Sequence, residues 1–478
     1  MIHLALVDHL VIGVYFVAVL AIGLRVSRNR EAGDAIDFLL AGRSLTLPVF
    51  VMTLVSTWYG GILGVGEFSY RYGISNWALQ GAPYYVFATV FALLLAPRVR
   101  ASALVTIPDK LHLSYGRPAA LLGAVLTFLL MTPAPYVLML AVLLQLVTGW
   151  SLPFCLVAGT AAATGYLLAG GFRSDVQTDV LEFVLMFVGF AVILPFAYSR
   201  FGGMEFLSAH LPPMHLTWHG GNPPQFIVVW FLIALWTLVD PSFHQRCAAA
   251  RTGAVARNGI LVSVLFWFLF DAMTATAGLY ARAILPPLDQ PVMAFPLLAE
   301  AILPAGMKGL FFVGMLATIM STLNTLVFVG GTTLGRDLVG RWRAGTDGVA
   351  VQEASGRVER RRTRVGVVVT AVLSVVLALL IPSVVTLWYT IGTAVVPGLL
   401  MPLVTSYFPR LRVGGRSALV TMLAGWTTST LWLLAGWSDH LGSADRYPFG
   451  IEPMIPGLAV SVCLWMIYLM AERKLRKA

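Results

Sequence analysis

Charge is scarce in this chain. Asp, Glu, Lys and Arg make up 11% of its 478 residues, while 58% are hydrophobic. A soluble domain carries about 25% charged residues, so an ordinary soluble globule is excluded. Cysteine is nearly absent: Cys155, Cys247 and Cys463 each lie in or beside an apolar run, which leaves no disulfide framework and no thiolate metal centre. A nucleophile–base pair, a phosphate loop and a metal motif are all lacking, so an enzyme is not expected, nor any cofactor. His215 and His219 stand one helical turn apart between 199 and 224. Pro212, Pro213, Gly220 and Gly221 bracket them as loop, and no Cys, Asp or third His completes a set. The N-terminus has neither a basic region before its first apolar run nor a small-residue cleavage site, and it reads as a retained span.

What the chain has in abundance is apolar runs long enough to span a bilayer. They fall near 7–25, 46–66, 77–97, 119–148, 153–171, 178–198, 225–243, 258–280, 306–334, 365–382, 384–408, 416–437 and 455–472. Thirteen spans give an all-α polytopic membrane protein. Lys and Arg collect on the cytoplasmic side of short loops. With the N-terminus outside and the C-terminus inside, of the 32 Lys and Arg only Arg71, Arg200, Arg282, Lys308 and Arg446 fall outside. The net charge of +10 is therefore a topology signal facing anionic lipid headgroups, not a nucleic-acid footprint. The arginine-rich stretch 336–364 reads as a solvated cytoplasmic linker, 199–224 as an external loop, and 291–302 as a short external helix.

One stretch organises the rest: residues 53–67, TLVSTWYGGILGVGE. Ser56, Thr57, Gly60, Gly61, Gly64 and Gly66 sit inside an apolar run that begins near Leu45. Glycine weakens a helix by about 1 kcal/mol per residue relative to alanine, so a helix that opens part-way is expected. In lipid, opened backbone persists only where it is buried in protein or lines a wet cavity, and there its carbonyls can hold a cation. The ionisable residues inside the spans are all acidic: Glu67, Asp179, Glu182, Asp240 and Asp271. No Lys or Arg is expected at matching depth, so protons or a cation must neutralise them. Glu67 and Asp240 stand near span ends and are open to a merely wetted reading. Asp271, beside Trp267, Phe268 and Phe270, is open to a packed, hydrogen-bonded one. In the ninth span, Ser321, Asn324 and Thr325 lie at i, i+3 and i+4 on one helix face, with Thr322 beside it and Thr318 one turn back. That pattern suits a sodium site, and it equally suits helix–helix adhesion.

In order along the chain stand LAGRSL at 40–45, STWYGG at 56–61, TIPDKL at 106–111, GGFRSDVQTD at 170–179, DPSFHQR at 240–246 and MSTLNT at 320–325. With these motifs the chain resembles the sodium/solute symporter family over about residues 8–470. The resemblance implies a leucine-transporter-type fold of two inverted five-helix repeats plus one N-terminal and two C-terminal helices. On that frame 1–43 is the extra helix and cytoplasmic loop, and 44–200 the first repeat. The external loop is 201–224, the second repeat 225–410 with its linker 336–364, and 411–478 the two last helices and tail. The shared sodium site maps to the backbone of Ser56, Tyr59 and Thr318 and the side chains of Ser321 and Thr322. A second sodium site found in some members maps to Asp179, Ser321, Asn324 and Thr325. The only breaker in the sixth core helix is Pro241, read as near its inner end.

The solute pocket is expected between the broken helices, with Trp58, Tyr59, Gln80, Trp236 and Tyr389 as candidates; packing is the competing reading for the aromatics. Trp58 stands where some members of that family place Asp or Asn, and Leu63 where its sugar carriers use a glutamine, which argues against a sugar. The resemblance implies sodium-coupled symport of a small organic solute by alternating access, with sodium as coupling ion, in a bacterial inner membrane. Proton coupling in the same fold, a solute sensor acting through a separate partner, and a channel are the rival readings. The chain does not name its solute, its stoichiometry or its oligomeric state.

Overall fold

A computed structural model describes residues 2–28, 35–343, 356–381, 384–436 and 447–475. Residues 344–355 of the expected linker, the expected split at Pro382, and Arg30, Arg446, Arg476 and Lys477 of the topology pattern lie outside the described residues. Among the described residues eleven helices are long and apolar enough to cross a membrane. Two more, α2 (Leu47–Trp58) and α3 (Ile62–Tyr72), form a further crossing bent by 59°. The N-terminal span is α1 (Leu6–Arg28). The run expected at 153–171 contains Leu152–Thr164, an apolar helix shorter than a full crossing.

Helical structure resumes in α6 (Leu167–Phe201), which Gly171 interrupts with φ 60° and ψ −149°. The Tyr166 hydroxyl lies 3.3 Å from Thr178 Oγ1. A straight helix would hold residues twelve apart at about 18 Å, so the chain folds back at Gly171. A Cβ there would sit 2.5 Å from the Phe38 carbonyl oxygen, so both the dihedral and the space demand glycine.

Local chemistry explains the irregular turns. In α4 (Trp77–Ala101), π-helical turns cover Trp77–Gly81 and Phe91–Leu95. Pro83 and Pro97 follow them. Proline offers no N–H to the preceding turn, which widens instead. The helix α5 (Ile107–Tyr115) opens with a capping box in which the Thr106 hydroxyl accepts from Asp109 N and Asp109 accepts from Thr106 N.

The span expected at 225–243 is longer than that and is broken inside. It comprises α7 (Pro224–Ile233), a single turn Trp236–Val239, and α8 (Pro241–Ala249). Pro241 is thus a break within the span, not its inner end. Asp240 makes the break tolerable: its Oδ1 accepts from Ser242 N at 2.7 Å and Phe243 N at 3.3 Å, capping α8 with proline at its first position. The far end of α8 is tied to the start of α2. Leu45 N donates to the Ala249 carbonyl at 3.1 Å, and Arg251 N donates to the Leu45 carbonyl at 3.0 Å.

The centre of the bundle is α10 (Met307–Thr332), whose most apolar window is wholly buried. It lies against α6, and α9 (Gly253–Ile284) covers α2. A Cβ on Gly189 would come 2.7 Å from Gly314 Cα. Small residues let the two backbones touch, which fixes the register between Asp179 on α6 and Ser321 on α10. Beyond Thr332 the helix continues through a π-helical stretch Thr333–Gly340 to Arg343. The linker reading of 336–364 is therefore corrected at both ends: 336–343 is helical, and a helix Gly356–Leu380 resumes after the gap. Arg336 and Arg341 are 4% exposed, held by Asp109, Asp337 and Glu359. Arg336 Nη1 reaches Asp109 Oδ1 at 3.0 Å and Asp337 Oδ1 at 2.7 Å, and Arg341 Nη2 also donates to Asp109. Sequence reading missed this knot because its acidic partners come from three separate segments.

Burial alone would raise the Asp109 carboxyl; Arg336 and Arg341 outweigh it and hold it down at about 2. A folded value below the ordinary carboxylate value stabilises the fold above about pH 3.9. That contribution is lost as pH falls toward 2. Asp109→Ala leaves two guanidiniums under-compensated, a change that typically costs about 3–5 kcal/mol for a buried pair. A clearly lower thermal midpoint in detergent at pH 7, with the gap to wild type narrowing only below about pH 4, is the expected result. An unchanged midpoint would show the knot to be energetically idle.

Candidate ion and solute site

Two interruptions face one another across the bundle. The first lies between α2 and α3, where Tyr59–Gly61 forms a 3-10 turn. Its glycines serve close approach as much as flexibility. A Cβ on Gly60 would lie 2.2 Å from Thr322 Oγ1, and one on Gly61 would lie 2.1 Å from the Trp388 ring. Glycine at 60 lets α10 reach the opened backbone. Glycine at 61 and 64 seats an indole from α11 (Val384–Ser406).

The expected first-site residues come together here. The Thr322 hydroxyl donates to the Thr57 carbonyl at 2.5 Å and lies 3.2 Å from the Thr318 carbonyl. Ser321 Oγ donates to Asp179 Oδ1 at 2.6 Å and lies 3.0 Å from Ser56 Oγ. The Tyr59 hydroxyl turns away and donates to the Trp267 carbonyl at 2.8 Å, so only its backbone belongs to the cluster. Ser56, Thr318 and Ser321 have no exposure and Thr322 has 3%. Hydroxyls and carbonyls at a helix break form an oxygen-only environment suited to a small hard cation.

The second expected set is also assembled, but its centre is filled. Arg246, on α8, is 0% exposed. Its Nη2 donates to Thr57 Oγ1 at 2.6 Å, Thr325 Oγ1 at 2.9 Å and Asp179 Oδ2 at 3.2 Å, and it lies 4.0 Å from Asp175 Oδ2. Thr325 Oγ1 donates to Asp175 Oδ2 at 2.7 Å. Thr53 also donates to Asp179, and Asn324 donates its amide to the Tyr166 hydroxyl. The expectation that no basic residue sits at depth with the acids is overturned. It failed because the span was ended at 243, which left Arg246 in a loop; the helix runs on to Ala249. Asp175 was missed for the mirror reason: α6 begins well before 178, and Asp175 is 0% exposed.

The other interior acids separate by environment. Glu182 accepts from the Tyr15 hydroxyl at 3.1 Å. Glu67 pairs with Arg71 at 3.0 Å at a partly exposed position. Asp240 is not a wetted surface residue but lines the central cavity at 7% exposure. Asp271, also at 7%, both lines that cavity and accepts from the Tyr85 hydroxyl. His215 is packed, its ring nitrogen bonded to the Tyr70 carbonyl at 3.0 Å. Among the described residues no group of three or more His, Cys, Asp or Glu is placed to hold a metal.

Directly beside the Thr57–Thr322 contact lies a cavity of about 140 Å³. Of the candidates named from the sequence, Trp58, Tyr59, Gln80 and Trp236 line it. Tyr389 does not; it donates to Glu452 in a separate apolar cluster. Its neighbour Trp388 lines the cavity instead. One residue along a helix is a rotation of about 100°, beyond what an uninterrupted apolar run reveals. Tyr84, Tyr136 and Trp230 complete the aromatic wall. Trp58 meets Tyr84 edge-on at 4.9 Å between centroids.

A helical bundle with two interrupted spans, buried oxygens at one break and a small cavity beside it, defines a secondary transporter. The SSF profile, sodium:solute symporter family, matches residues 38–425. The sodium/pantothenate symporter of Escherichia coli (strain K12) is 24% identical over 477 residues, covering 95% of this chain and 94% of that one. High-affinity choline transporter 1 of Drosophila melanogaster is 25% identical over 406 residues, covering 78% and 62%. A solved structure of a Na+-coupled sialic acid symporter, described as substrate-bound and outward-open, superposes with TM-score 0.80 at 13% identity, over 98% of each chain. The chain belongs to the sodium:solute symporter family. Its fold is the leucine-transporter type, and it is a sodium-coupled symporter of a small organic solute.

The close fit at residue 61 gives a direct test. Gly61→Ala overpacks the Trp388 ring, at a typical cost of about 1–3 kcal/mol. In a Trp388→Leu background the same change should cost little. Equal losses of thermal stability in both backgrounds would show that the indole does not rest on this glycine.

Proposed function

We propose that sodium binds at the α2–α3 break, held by the backbone of Ser56, Tyr59 and Thr318 and by the hydroxyls of Ser321 and Thr322. The Thr57 carbonyl, bonded to Thr322 at 2.5 Å, joins the set. This contact carries the reading, since it brings hydroxyls of α10 onto opened backbone of α2 with the cavity immediately beside it. Sodium there ties the two helices together and favours the state open to the outside; solute in the cavity then lets the outer side close. Release inside follows the sodium gradient. A potential of 100 mV adds about 2.3 kcal/mol per charge moved. The N-terminus lies outside and the C-terminus inside a bacterial inner membrane. The two repeats are 44–200 and 225–410, flanked by 1–43 and 411–478, with 201–224 outside.

One sodium accompanies each solute, because Arg246 takes the place of a second ion. Its guanidinium already engages Asp179 and Thr325. Proton coupling is the second reading, favoured by one specific observation. Asp175 and Asp179 share the Arg246 guanidinium, while Glu182 is held by the Tyr15 hydroxyl; all three are 0% exposed, so protons supply part of the balance. The relatives are named for pantothenate and for choline, so kinship leaves the solute open.

Purified protein tests the ion without a known solute. Ligands that bind only the folded state raise its stability. Sodium should raise the thermal midpoint relative to equal potassium, and Ser321→Ala with Thr322→Ala should abolish that rise while the protein still inserts and folds. The sodium titration should show a Hill coefficient of about 1; a value near 2 would refute the single ion. Proteoliposomes with a pH gradient and no sodium separate the second reading: uptake under those conditions would replace sodium by protons as driver.

A further inference from the structure

The lining of the cavity specifies a class of solute. The chain holds 27 Phe against 13 Trp and 15 Tyr, yet the cavity wall takes four Trp and three Tyr and no Phe. Hydrophobic burial alone would not discriminate so sharply. The negative face of an aromatic ring attracts cations, with Trp the best of the three. Two carboxylates join the rings, Asp240 and Asp271, and no Lys, Arg or His lines the space among the described residues. A carboxylate-bearing solute would therefore meet like charge and no counter-charge from a side chain.

The two acids are not equivalent. Asp240 uses Oδ1 on the α8 cap, accepting from Ser242 N, Ser242 Oγ and Phe243 N. Asp271 is held by the Tyr85 hydroxyl, which is itself positioned by Trp77 Nε1 at 3.0 Å. It also lies against Gly81, where a Cβ would approach its Oδ2 to 2.8 Å. Asp271 is thus oriented by its neighbours and, among the described residues, is not paired to a cationic side chain. The space is small: about 140 Å³, close to the roughly 150 Å³ of a cavity that admits benzene.

We infer that the solute is a small organic cation, an alkylammonium whose charged head sits among Trp58, Trp236 and Trp388 with Asp271 as its counter-charge. This inference rests on the symport reading for the site's role, but its chemistry comes from the wall alone.

The test compares choline with 3,3-dimethylbutan-1-ol, its uncharged isostere with carbon in place of nitrogen. Binding to the purified wild-type protein is followed by tryptophan fluorescence and calorimetry in sodium, with proline and pantothenate alongside. Choline is expected to bind about tenfold or more tightly than the isostere. Asp271→Asn should abolish that preference while leaving the isostere's affinity as it was. Equal binding of the two, or binding of proline or pantothenate with none of choline, would overturn the inference. The wild-type comparison stands even if the Asp271 variant misfolds. Flux separates the two readings. Sodium-driven uptake of proline or pantothenate without choline binding defeats the cationic class and leaves symport intact. Choline that binds as expected but is not accumulated under a sodium gradient defeats symport and leaves the class intact.

Discussion

A guanidinium with no exposure survives in a low-dielectric interior only when charge and hydrogen bonds surround it. Arg246 is placed in that way, and its contacts join four helices: Thr53 and Thr57 from α2, Asp175 and Asp179 from α6, Thr325 from α10, and its own α8. Arginine suits this position because its charge cannot be removed by burial and its planar fork serves several acceptors at once. Hydroxyls supply much of the coordination, which keeps the charge count low while satisfying donors. The register that places Ser321 and Thr322 against the opened backbone is the same register that brings Thr325 to Arg246. The candidate ion site and the buried ion pair are therefore two consequences of one packing arrangement.

That arrangement divides what was legible in the sequence from what was not. Spans announce themselves by composition, so the all-helical bundle and the helix break at 59–61 were readable. The spacing of Ser321, Asn324 and Thr325 put their side chains on one helix face, with Thr322 beside it, whatever the fold turned out to be. Span ends carry no such signal when a polar helix continues past the apolar run. Arg246 and Asp175 were lost there, each only a few residues beyond a boundary drawn by hydropathy, and with them went the charge balance of the site. The same weakness turned Arg336 and Arg341 into linker residues. Besides Asp337 on their own stretch, their partners Asp109 and Glu359 lie on α5 and on the helix Gly356–Leu380, and ion pairing between distant segments leaves no trace in local pattern.

Glycine carried a different ambiguity. The cluster at 60, 61, 64 and 66 was read as backbone freedom, and the break is there. Each of these positions also faces a neighbour that a methyl group would strike: Thr322 at 60, Trp388 at 61 and 64, Phe295 at 66. Loss of a side chain is what lets a hydroxyl and an indole reach the α2–α3 backbone. A sequence reports that a residue is small; only the packed neighbour says which use is made of it. Trp388 and Tyr389 show the limit from the other side, since adjacent aromatics on an apolar helix differ only in rotation, and rotation is set by partners.

The breaks, the buried arginine and the aromatic wall then constrain mechanism together. Asp240 caps α8 and lines the cavity, so a solute that engages it acts on the α8 terminus directly. From there α8 carries Arg246 into the acid and hydroxyl group against α2, α6 and α10. Its last residues are bonded to the chain entering α2. The cavity and the oxygen cluster at the α2–α3 break thus border the same helices. A coupling free energy requires two sites that bias one two-state element, and α2 with α8 is the unit here that both sites touch. On this arrangement Arg246 is best understood as a fixed positive charge between the two halves. It ties α8 to α2, α6 and α10 through bonds that need no bound ion.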